Sequence, residues 1–430
     1  MKEDFLHYVW QHQYFDKVDL VTSEKETVQV LKTGFLNSNA GPDFLGAQIK
    51  IGSFTWNGSV EIHLSASDWL RHQHQQDARY DQVILHVVWE NDQVLTRTDN
   101  SLIPVIELKN RVANALLQTY LDLKREKNNL PCAPFLKQVP DLPKLQMLDR
   151  VLLERLEQKA GQITALLNAS KADWEEVTYQ VLAASFGFKI NQEPFSRLSK
   201  ILPYSILRRH QNQIFQLEAL LYGQAGFLTE PLPPDEYLQQ LQQEYFFLQH
   251  KYTLPAGLTT ADWNFLRLRP RNFPTVRLAQ FAVLLHTKTH MFSTLLSLET
   301  VVDYFNFFGA EVSRYWQTHY MPGRPSKNEQ KGMGKDSIAL LMLNTVVPLL
   351  FAYARFIDNQ ALIDKALSLL ENLKAEHNAI TKIYEQLGFK NKSAQDSQAY
   401  LQLYHQYCVP RNCLYCSIGH HILKSNQTKA

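Results

Sequence analysis

Residues 41–64 decide how the first part of this chain folds, and they read GPDFLGAQIKIGSFTWNGSVEIHL. Apolar and polar residues alternate over residues 47–51, which is typical of a strand with one buried face. Gly52-Ser53 marks a turn after it, and Asn57-Gly58 carries a strong hairpin signal because both residue types tolerate a positive φ. The stretch therefore predicts three short strands in close succession, the last over residues 60–64.

The first 128 residues around this stretch mix strand signals with helix signals. Residues 83–89 form an almost continuous apolar run, as expected for a strand buried on both faces. Ser67 or Asp68 is a good N-cap for a polar helix, since a short side-chain oxygen accepts the unpaired amides of the first turn. Strands are predicted at residues 27–36, 83–89 and 103–108, and helices at residues 68–80 and 111–126.

A proline-rich stretch then separates two regions of different pattern, with Pro131, Pro134, Pro140 and Pro143. Proline lacks a backbone N–H and fixes φ, so regular structure is not expected to continue through it. Beyond it, apolar residues recur at helical spacing, first in Leu145, Leu148, Leu152 and Leu156. Further helices are predicted at residues 173–186, 237–249, 276–286, 337–356 and 361–387. The sequence predicts an α+β protein with a mixed-sheet α/β domain at residues 1–128, a connector at 129–143 and an all-helical domain at 144–430.

The composition is that of a globular protein, with 45% hydrophobic and 20% charged residues, which excludes a largely disordered or collagen-like chain. The formal net charge of +2 provides no overall basic field, so nucleic-acid binding requires a local patch. Residues 337–354 are apolar enough to raise the question of a membrane span, but Asn344 and Pro348 interrupt them, and we predict a buried core helix. The acidic N-terminus is unlike a secretory signal, and we expect a cytoplasmic protein.

Two carboxylates and an imidazole are predicted to converge in the stretch quoted above. Asp43 lies at the start of the hairpin, while Glu61 and His63 lie on one face of a strand because side chains alternate. Hard divalent cations bind through one or two carboxylates and substrate phosphate oxygens. We predict that Asp43 and Glu61 hold Mg²⁺ or Mn²⁺, and that His63 orients the attacking water or completes the coordination. Such a site suits phosphodiester hydrolysis.

The order of helix, strand, Pro-Asp hairpin, Glu-x-basic strand, helix and strand resembles the PD-(D/E)XK nuclease superfamily, whose core is a small mixed sheet flanked by helices. The resemblance covers the N-terminal part of the chain and implies a nuclease-like domain at residues 1–128. That superfamily usually has lysine where this chain has His63, and an imidazole can instead ligate metal. A rival match, Glu107-Leu108-Lys109, fits the spacing better but lies far from Asp43, and it ranks second.

The same residues also allow a purely structural interpretation. Asp43 would then cap a turn, Glu61 would pair with a lysine, and His63 would be a hydrogen-bonded, half-buried side chain. A zinc site built from His63, His86 and a carboxylate is compatible with the pattern, although the H-E-x-x-H spacing of zinc hydrolases is absent. His72 and His74 lie on a predicted helix and His86 on a predicted strand. For any one of these histidines taken alone we expect a packing role.

The cysteines suggest a second metal site. Cys408, Cys413 and Cys416 are spaced so that several thiolates can reach one ion, and Cys132 is the only other cysteine in the chain. We predict a closed site that holds structural zinc or an iron–sulfur cluster. The arrangement is similar to the four-iron cluster that certain DNA-processing nucleases of the same superfamily build from one early and three late cysteines. The alternatives are reduced thiols packed as small apolar groups, or another fourth ligand among His405, His420 and His421.

A short arginine-rich loop precedes one of the predicted helices. Its guanidinium groups are suited to phosphate because the planar fork donates two parallel hydrogen bonds. We predict nucleic-acid contacts there, with helix capping and ion pairing as the alternative. The predicted contact residues are Arg269, Arg271 and Arg277.

The Gly-Pro-Asp-Phe, Val-Glu-Ile-His, Ser-Asp-Trp and terminal cysteine segments together resemble an uncharacterised bacterial family catalogued as domain of unknown function 2851. This resemblance runs over most of the chain and implies no activity. The functional prediction therefore rests on the residues above and is metal-dependent phosphodiester hydrolysis, with DNA or RNA as the partner. A non-catalytic nucleic-acid-binding or scaffold protein that retains a nuclease-like fold is the alternative.

Overall fold

The computed structural model describes residues 1–97, 101–126, 129–228, 232–326 and 332–426. The chain forms two compact units: Met1–Asp149 together with Leu403–Ala430, and Arg150–Gln402. The C-terminal segment thus belongs with the N-terminal residues, whereas the sequence placed it in the helical domain. Its last helix buries Ile418, Ile422 and Leu423 within the first unit. These long-range contacts leave no local trace in the sequence.

A six-stranded mixed sheet organises the first unit. Its strands are β1 (Val28–Lys32), β2 (Phe35–Leu36), β3 (Phe44–Ile51), β4 (Phe54–Ser65), β5 (Val83–Glu90) and β6 (Val105–Glu107). The order is β1-β3-β4-β5-β6, and β2 pairs with β3. Strand β3 is antiparallel to β1, β2 and β4, whereas β4, β5 and β6 are mutually parallel neighbours. The predicted mixed sheet is confirmed, and its long central strand is β4.

The prediction of a hairpin turn at Asn57-Gly58 is wrong. The chain turns at Gly52-Ser53, so that Ile51 pairs with Phe54, and Asn57-Gly58 lies inside β4 opposite Gln48 and Ala47. Gly58 is needed for a different reason: a Cβ there would lie 2.6 Å from the carbonyl oxygen of Gln82. The glycine permits close backbone approach rather than a turn.

Short helices cover the sheet of the first unit. They are α1 (Glu3–Gln11), α2 (Asp68–Arg71) and α3 (Asn114–Arg125). The helix predicted at residues 68–80 stops at Arg71, because Gln73 adopts a left-handed backbone with φ 60°. Two short 3₁₀ turns follow, His74–Gln76 and Ala78–Tyr80. Trp69 joins the apolar core between this segment and β5.

The second unit is mostly helical. Helices that lie wholly or largely in it are α4 (Asp141–Ala169), α5 (Trp174–Phe186), α6 (Gln192–Ile201), α7 (Tyr204–Arg209), α8 (Ile214–Gln224), α9 (Glu236–Tyr252), α10 (Pro274–Thr287), α11 (Met291–Ser297), α12 (Val301–Phe308), α13 (Arg314–Thr318), α14 (Lys335–Leu341), α15 (Val347–Ile357), α16 (Gln360–Asn372), α17 (Ala379–Gln386) and α18 (Ala394–Leu403). The last helix of the chain, in the first unit, is α19 (Ser417–Ser425).

Several details of the predicted helical domain need correction. A short antiparallel ribbon, β7 (His319–Met321) and β8 (Arg324–Pro325), interrupts it. The helix predicted over residues 361–387 is two helices, because Asn378 starts a new one by accepting the amides of Ile380 and Thr381. Helix α4 begins at Asp141, inside the predicted connector. Pro143 lies in its first turn, where a backbone N–H has no intrahelical partner, so the proline breaks no helical hydrogen bond.

The apolar stretch in the second unit is a core helix, as predicted. Lys335–Ile357 is long and apolar enough to cross a membrane by length and composition, but 72% of its most apolar window is buried inside the fold. A π turn, Met342–Val346, joins α14 to α15 within it. Such burial is typical of the core helix of a soluble protein.

Candidate metal centre

Imidazole and carboxylate side chains from separate elements of the first unit converge beside β4. We call this group the histidine–carboxylate cluster. Its members are His7 on α1, Asp43 just before β3, Glu61 and His63 on β4, His72 after α2, His74 in a 3₁₀ turn and His86 on β5.

The hairpin and the parallel strand pair position the centre of the cluster. Glu61 is opposite His86 in the register of β4 and β5, and His63 lies two residues further along the same face of β4. The backbone N–H of Asp43 donates to Glu61 Oε2 at 3.1 Å. In return, Asp43 Oδ2 accepts the N–H of Ile62 at 3.0 Å. The predicted convergence of Asp43, Glu61 and His63 is present in the structure.

The broken helix after β4 brings two more imidazoles to the same place. The left-handed backbone of Gln73 turns the chain so that the rings of His72 and His74 lie 5.0 and 5.2 Å from the ring of His63. Tyr80 stacks on His74 with ring centroids 3.8 Å apart. A continuous helix would have carried His72 and His74 onto different sides of its axis, so the break is what gathers them.

Donor atoms of four side chains lie close to one another beside β4. His63 Nε2 lies 3.2 Å from His72 Nδ1 and 3.4 Å from Glu61 Oε1. His74 Nε2 lies 3.3 Å from the same Glu61 oxygen. One donor atom from each of His63, His72 and His74 forms a set within 4.8 Å. Ligands about 2.0–2.1 Å from a tetrahedral ion are separated by roughly 3.3 Å, which is close to these three contact distances. The three histidines are therefore the candidate ligand set, and Glu61 Oε1 lies next to His63 and His74.

Three imidazole nitrogens of the cluster are buried without a hydrogen-bond partner among the described residues: Nε2 of His7, Nε2 of His74 and Nδ1 of His86. The first two do approach carboxylates, at 3.2 Å from Asp43 Oδ2 and 3.3 Å from Glu61 Oε1, but without hydrogen-bond alignment. A buried polar group without a partner costs about 1–3 kcal/mol. For His74, a metal ligand role satisfies the nitrogen directly.

Burial controls the protonation of the cluster. Burial and the neighbouring imidazoles lower the pKa of His63 to about 2, and burial together with His74 lowers the pKa of His86 to about 3. Burial also lowers the pKa of His74, with His72 adding to the effect. These rings are therefore neutral at pH 7, which is the form that binds metals.

The pKa of Glu61 is shifted in the opposite direction from those of the histidines. Burial and the charge of Asp43 raise the pKa of Glu61 to about 9, and the hydrogen bond from the Asp43 backbone offsets only part of this. The cluster thus contains two carboxyl groups, and its central imidazoles supply no compensating positive charge. A divalent cation at the Glu61 oxygen would restore the carboxylate.

Asp43 and His7 form the more open side of the cluster. The Asp43 and His7 side chains are 24% and 19% exposed, against 5% for Glu61 and 2% for His63. Burial lowers the pKa of His7, but the adjacent Asp43 carboxylate outweighs burial and raises the pKa overall. Asp43 is therefore a carboxylate with access to water, paired with a histidine outside the coordination-like set.

The rival motif does not join the cluster. Glu107 Oε2 accepts the N–H of Asn91 at 3.0 Å, and Lys109 Nζ pairs with Glu90 Oε1 at 3.0 Å. The sequence interpretation offered His86 as a second zinc ligand beside His63, favoured packing roles for His72 and His74, and so missed the set that these two form with His63. A signal existed in the His72-x-His74 pair, but its meaning depended on the break at Gln73.

The predicted cysteine ligands all belong to the first unit, and all four are free thiols. Burial raises the pKa of the Cys132 thiol, and Cys408, Cys416 and Cys413 raise it further. Of the alternative fourth ligands, His420 has its Nδ1 3.0 Å from the Tyr8 hydroxyl. His405 packs edge-on against the ring of Tyr404.

The predicted nucleic-acid contacts in the second unit divide into two kinds. Arg277 is only 4% exposed, and its terminal nitrogens donate to the side chains of Gln280, Asn272 and Ser337. Burial lowers the pKa of Arg277 to about 10. A side chain so enclosed packs the core, which is at odds with its prediction as a phosphate contact. Arg269 and Arg271 instead line an open cleft of about 510 Å³ with Arg324 and Tyr320.

Comparison with known proteins gives a family and no activity. No curated protein and no solved structure matches the chain. The family described as "Protein of unknown function (DUF2851)" matches residues 3–379, which include the whole histidine–carboxylate cluster and end before Cys408. The chain therefore belongs to the DUF2851 family.

Proposed function

We propose that this protein is a metal-dependent hydrolase of phosphodiester bonds in nucleic acid. The ion is held by His63 Nε2, His72 Nδ1, His74 Nε2 and Glu61 Oε1. The observation that carries the proposal is the 3.2–3.4 Å spacing between neighbouring members of this set. His72 is exposed, so the set opens to solvent on one side, as a catalytic site requires.

The donor set favours particular ions. Three imidazole nitrogens and one carboxylate oxygen suit Zn²⁺, Mn²⁺, Fe²⁺ or Co²⁺, whereas Mg²⁺ prefers oxygen ligands. Mn²⁺, which the sequence analysis predicted, therefore remains a proposed ion, and Mg²⁺ becomes a less favoured one. The proposal also changes the role of Asp43, because His7 and the Ile62 amide already engage the carboxylate oxygen Oδ2.

Asp43 is the group that receives the proton of the attacking water. A bound divalent ion lowers the pKa of a coordinated water and polarises the scissile phosphate. Asp43 lies beside Glu61, is fixed by the Ile62 amide and is open to solvent, so it can hold a proton close to the ion site. His7 acts through Asp43 and is a positioning residue.

Two features support nucleic acid as the substrate class. One is the sequence resemblance to nucleases, which rests on the order of a helix, the hairpin that begins at Asp43, the Glu61-x-His63 strand and the strand that follows. In addition, the β3–β4 hairpin ends in the exposed aromatic side chains of Phe54 and Trp56, which are 69% and 51% exposed. Exposed aromatic faces stack on bases without sequence preference.

The second unit supplies the basic surface. Arg269 and Arg271 are the proposed phosphate contacts, in the cleft that they share with Arg324 and Tyr320. We place the activity in the cytoplasm, where the cysteine thiols would stay reduced.

The test is a cleavage assay on the full chain, stripped by chelator and reloaded with Mn²⁺, Zn²⁺, Fe²⁺, Co²⁺ or Mg²⁺ in turn. Labelled single-stranded DNA, duplex DNA and RNA serve as substrates. We expect cleavage with at least one transition ion, loss of cleavage in His72→Gln, and full activity in the matched control His12→Gln, which replaces an exposed histidine outside the set. Binding without cleavage under every metal would identify a non-catalytic nucleic-acid-binding protein. Neither binding nor cleavage would refute the proposal.

A further inference from the structure

A cavity of about 630 Å³ lies within the second unit and shares no lining residue with the arginine-lined cleft described above. Several stretches of helix border it, and each contributes side chains at helical spacing, so that one face of each helix lines the cavity. They are α4, α5, α6 and the segment that runs from α14 through the π turn Met342–Val346 into α15. A cavity of this size accommodates a small organic molecule.

The π turn leaves a backbone acceptor that Lys159 on α4 occupies. In a π turn each N–H pairs with the carbonyl five residues back. The Leu343 carbonyl would receive the N–H of residue 348 in that pattern, but Pro348 has none to donate. Lys159 Nζ donates to this carbonyl at 3.2 Å and to Asn344 Oδ1 at 3.0 Å. The irregular turn therefore fixes the position of an amine at the cavity wall.

The cationic side chains of the cavity retain hydrogen-bond donors for a ligand. A protonated lysine has three N–H donors, so Lys159 has one left after its two bonds. Arg155 lies one helical turn earlier on α4 and donates from Nε to Gln398 at 2.6 Å and from Nη1 to Gln402 at 3.4 Å. Its Nη2 has no hydrogen-bond partner among the described residues. Lys189, which is exposed, also lines the cavity.

The charge around the cavity is predominantly positive. No carboxylate lines it in the part of the chain that the structure describes. Glu376 acts on Arg155 and Lys159, but it accepts a hydrogen bond from the Gln398 side chain and does not line the cavity. Burial lowers the pKa of Lys159 to about 7, and the charge of Arg155 adds to this effect. An anion in the cavity would offset the repulsion between the two cationic groups.

The rest of the lining suits an organic group rather than a bare ion. Its apolar part includes Ile163, Leu166 and Phe188. Phe188 has a left-handed backbone with φ 52°, which is uncommon for an aromatic residue, and such strained positions cluster at ligand sites. Three glutamine side chains, each able to donate and to accept hydrogen bonds, also border the cavity: Gln162, Gln180 and Gln192.

We propose that this cavity binds a small organic phosphate, with the phosphate group at Arg155, Lys159 and Lys189 and the organic part against the apolar side chains. A phosphate monoester carries a charge of about −1.5 to −2 at pH 7 and has three strong acceptor oxygens, which match the three cationic donors. A carboxylate has a smaller charge and fewer acceptors. The site uses none of the residues proposed for metal binding or nucleic-acid contact, so neither proposal depends on the other.

The experiment is isothermal titration of the full chain in chelator with adenosine 5′-monophosphate, glucose 6-phosphate, inorganic phosphate and adenosine. We expect at least one of the two organic phosphates to bind, and to bind more tightly than inorganic phosphate or adenosine. The organic phosphate that binds identifies the ligand as a nucleotide or a sugar phosphate.

Variants of the cavity locate the bound phosphate. Lys159→Met keeps the length of the side chain and removes its charge, so it should weaken binding about 10-fold or more. Lys189→Gln changes an exposed residue and should weaken binding by a smaller factor without affecting the fold. Lys200→Gln is the matched control, because Lys200 is an exposed lysine on α6 outside the cavity, and it should leave the affinity unchanged.

Two results would overturn the proposal. One is the absence of saturable binding of either organic phosphate below about 5 mM. The other is binding that neither Lys159→Met nor Lys189→Gln weakens; its loss in the Arg269→Ala/Arg271→Ala double variant would then place the phosphate in the arginine-lined cleft. The unmodified protein decides the first point, and Lys189→Gln decides the second even if Lys159→Met does not fold.

Discussion

Asp43 and Glu61 orient each other through the backbone of the paired strands. The Asp43 N–H donates to Glu61 Oε2 at 3.1 Å, and Asp43 Oδ2 accepts the N–H of Ile62, the residue after Glu61, at 3.0 Å. One Glu61 oxygen is thereby used in the fold, and the other, Oε1, is directed at His63 and His74. The antiparallel register of β3 and β4 therefore sets the orientation of the proposed metal ligand.

His74→Phe should separate metal binding from packing. Phenylalanine keeps an aromatic ring against Tyr80 and Trp69 but removes Nε2, which lies 3.3 Å from Glu61 Oε1. We expect metal affinity to fall at least about 10-fold, because the loss of even an outer-shell partner typically costs that much, with the melting temperature in chelator unchanged or raised. Isothermal titration with Mn²⁺ and Zn²⁺ and thermal unfolding in chelator check this. Unchanged affinity would remove His74 from the ligand set.

The contribution of Glu61, His63 and His86 to the stability of the metal-free protein should peak near pH 6.5. The pKa of Glu61 is raised from 4.5 to about 9, so the folded state binds more protons than the unfolded state between these values, and stability falls as pH rises. The pKa values of His63 and His86 are lowered from 6.5 to about 2 and 3, so their contribution is complete above pH 6.5 and is lost as pH falls. Below pH 6.5 the histidines together outweigh Glu61.

Denaturant unfolding across a pH series, in chelator, measures how stability changes below and above pH 6.5. Above pH 6.5 we expect Glu61 to contribute a decline on the order of 1 kcal/mol per pH unit, measured as the difference in slope between the parent and Glu61→Gln. The difference is needed because buried Lys159, whose pKa is lowered to about 7, changes stability with pH in the opposite direction. Glu61→Gln should flatten that decline, because glutamine does not titrate, whereas Glu107→Gln serves as the control and should leave it unchanged. Saturating Zn²⁺ should also flatten it, since a metal-bound Glu61 stays ionised. A decline that persists in Glu61→Gln would assign it to another group.

Gly58→Ala should disturb the site from outside the ligand set. The added Cβ would meet the Gln82 carbonyl oxygen at 2.6 Å, and backbone cannot move aside as a side-chain tip can. We expect a loss of about 1–3 kcal/mol in unfolding free energy and weaker metal binding, because β4 and β5 carry Glu61, His63 and His86. Gly161→Ala, where nothing lies within 4 Å of the new Cβ, should be neutral or stabilising. Similar effects of the two substitutions would contradict this account of Gly58.

Local patterns in the sequence predicted much of the fold and only part of the site. The alternation around residues 47–51 and the apolar run at 83–89 predicted β3 and β5, because burial on one or both faces leaves a direct periodic trace. The alternation of side chains along one strand, together with the position of Asp43 at the start of the hairpin, predicted that Asp43, Glu61 and His63 converge. His72 and His74 were not recognised as ligands, because their positions depend on the left-handed backbone of Gln73, an unfavourable conformation that tertiary packing imposes.

The arginines of the second unit should separate into binding and structural residues. We expect the Arg269→Ala/Arg271→Ala double variant to weaken nucleic-acid binding and to reduce the slope of log affinity against log salt by about 2, since both side chains are exposed in the cleft. Arg277→Ala should leave that slope unchanged. It should instead lower the unfolding free energy by about 2 kcal/mol or more, because Asn272, Gln280 and Ser337 lose their donor and Phe188 loses the guanidinium 4.3 Å from its ring centre. Fluorescence anisotropy at several salt concentrations, with denaturant unfolding of the same samples, measures both quantities. If Arg277→Ala is as stable as the parent but reduces the slope of log affinity against log salt, Arg277 contacts phosphate after all.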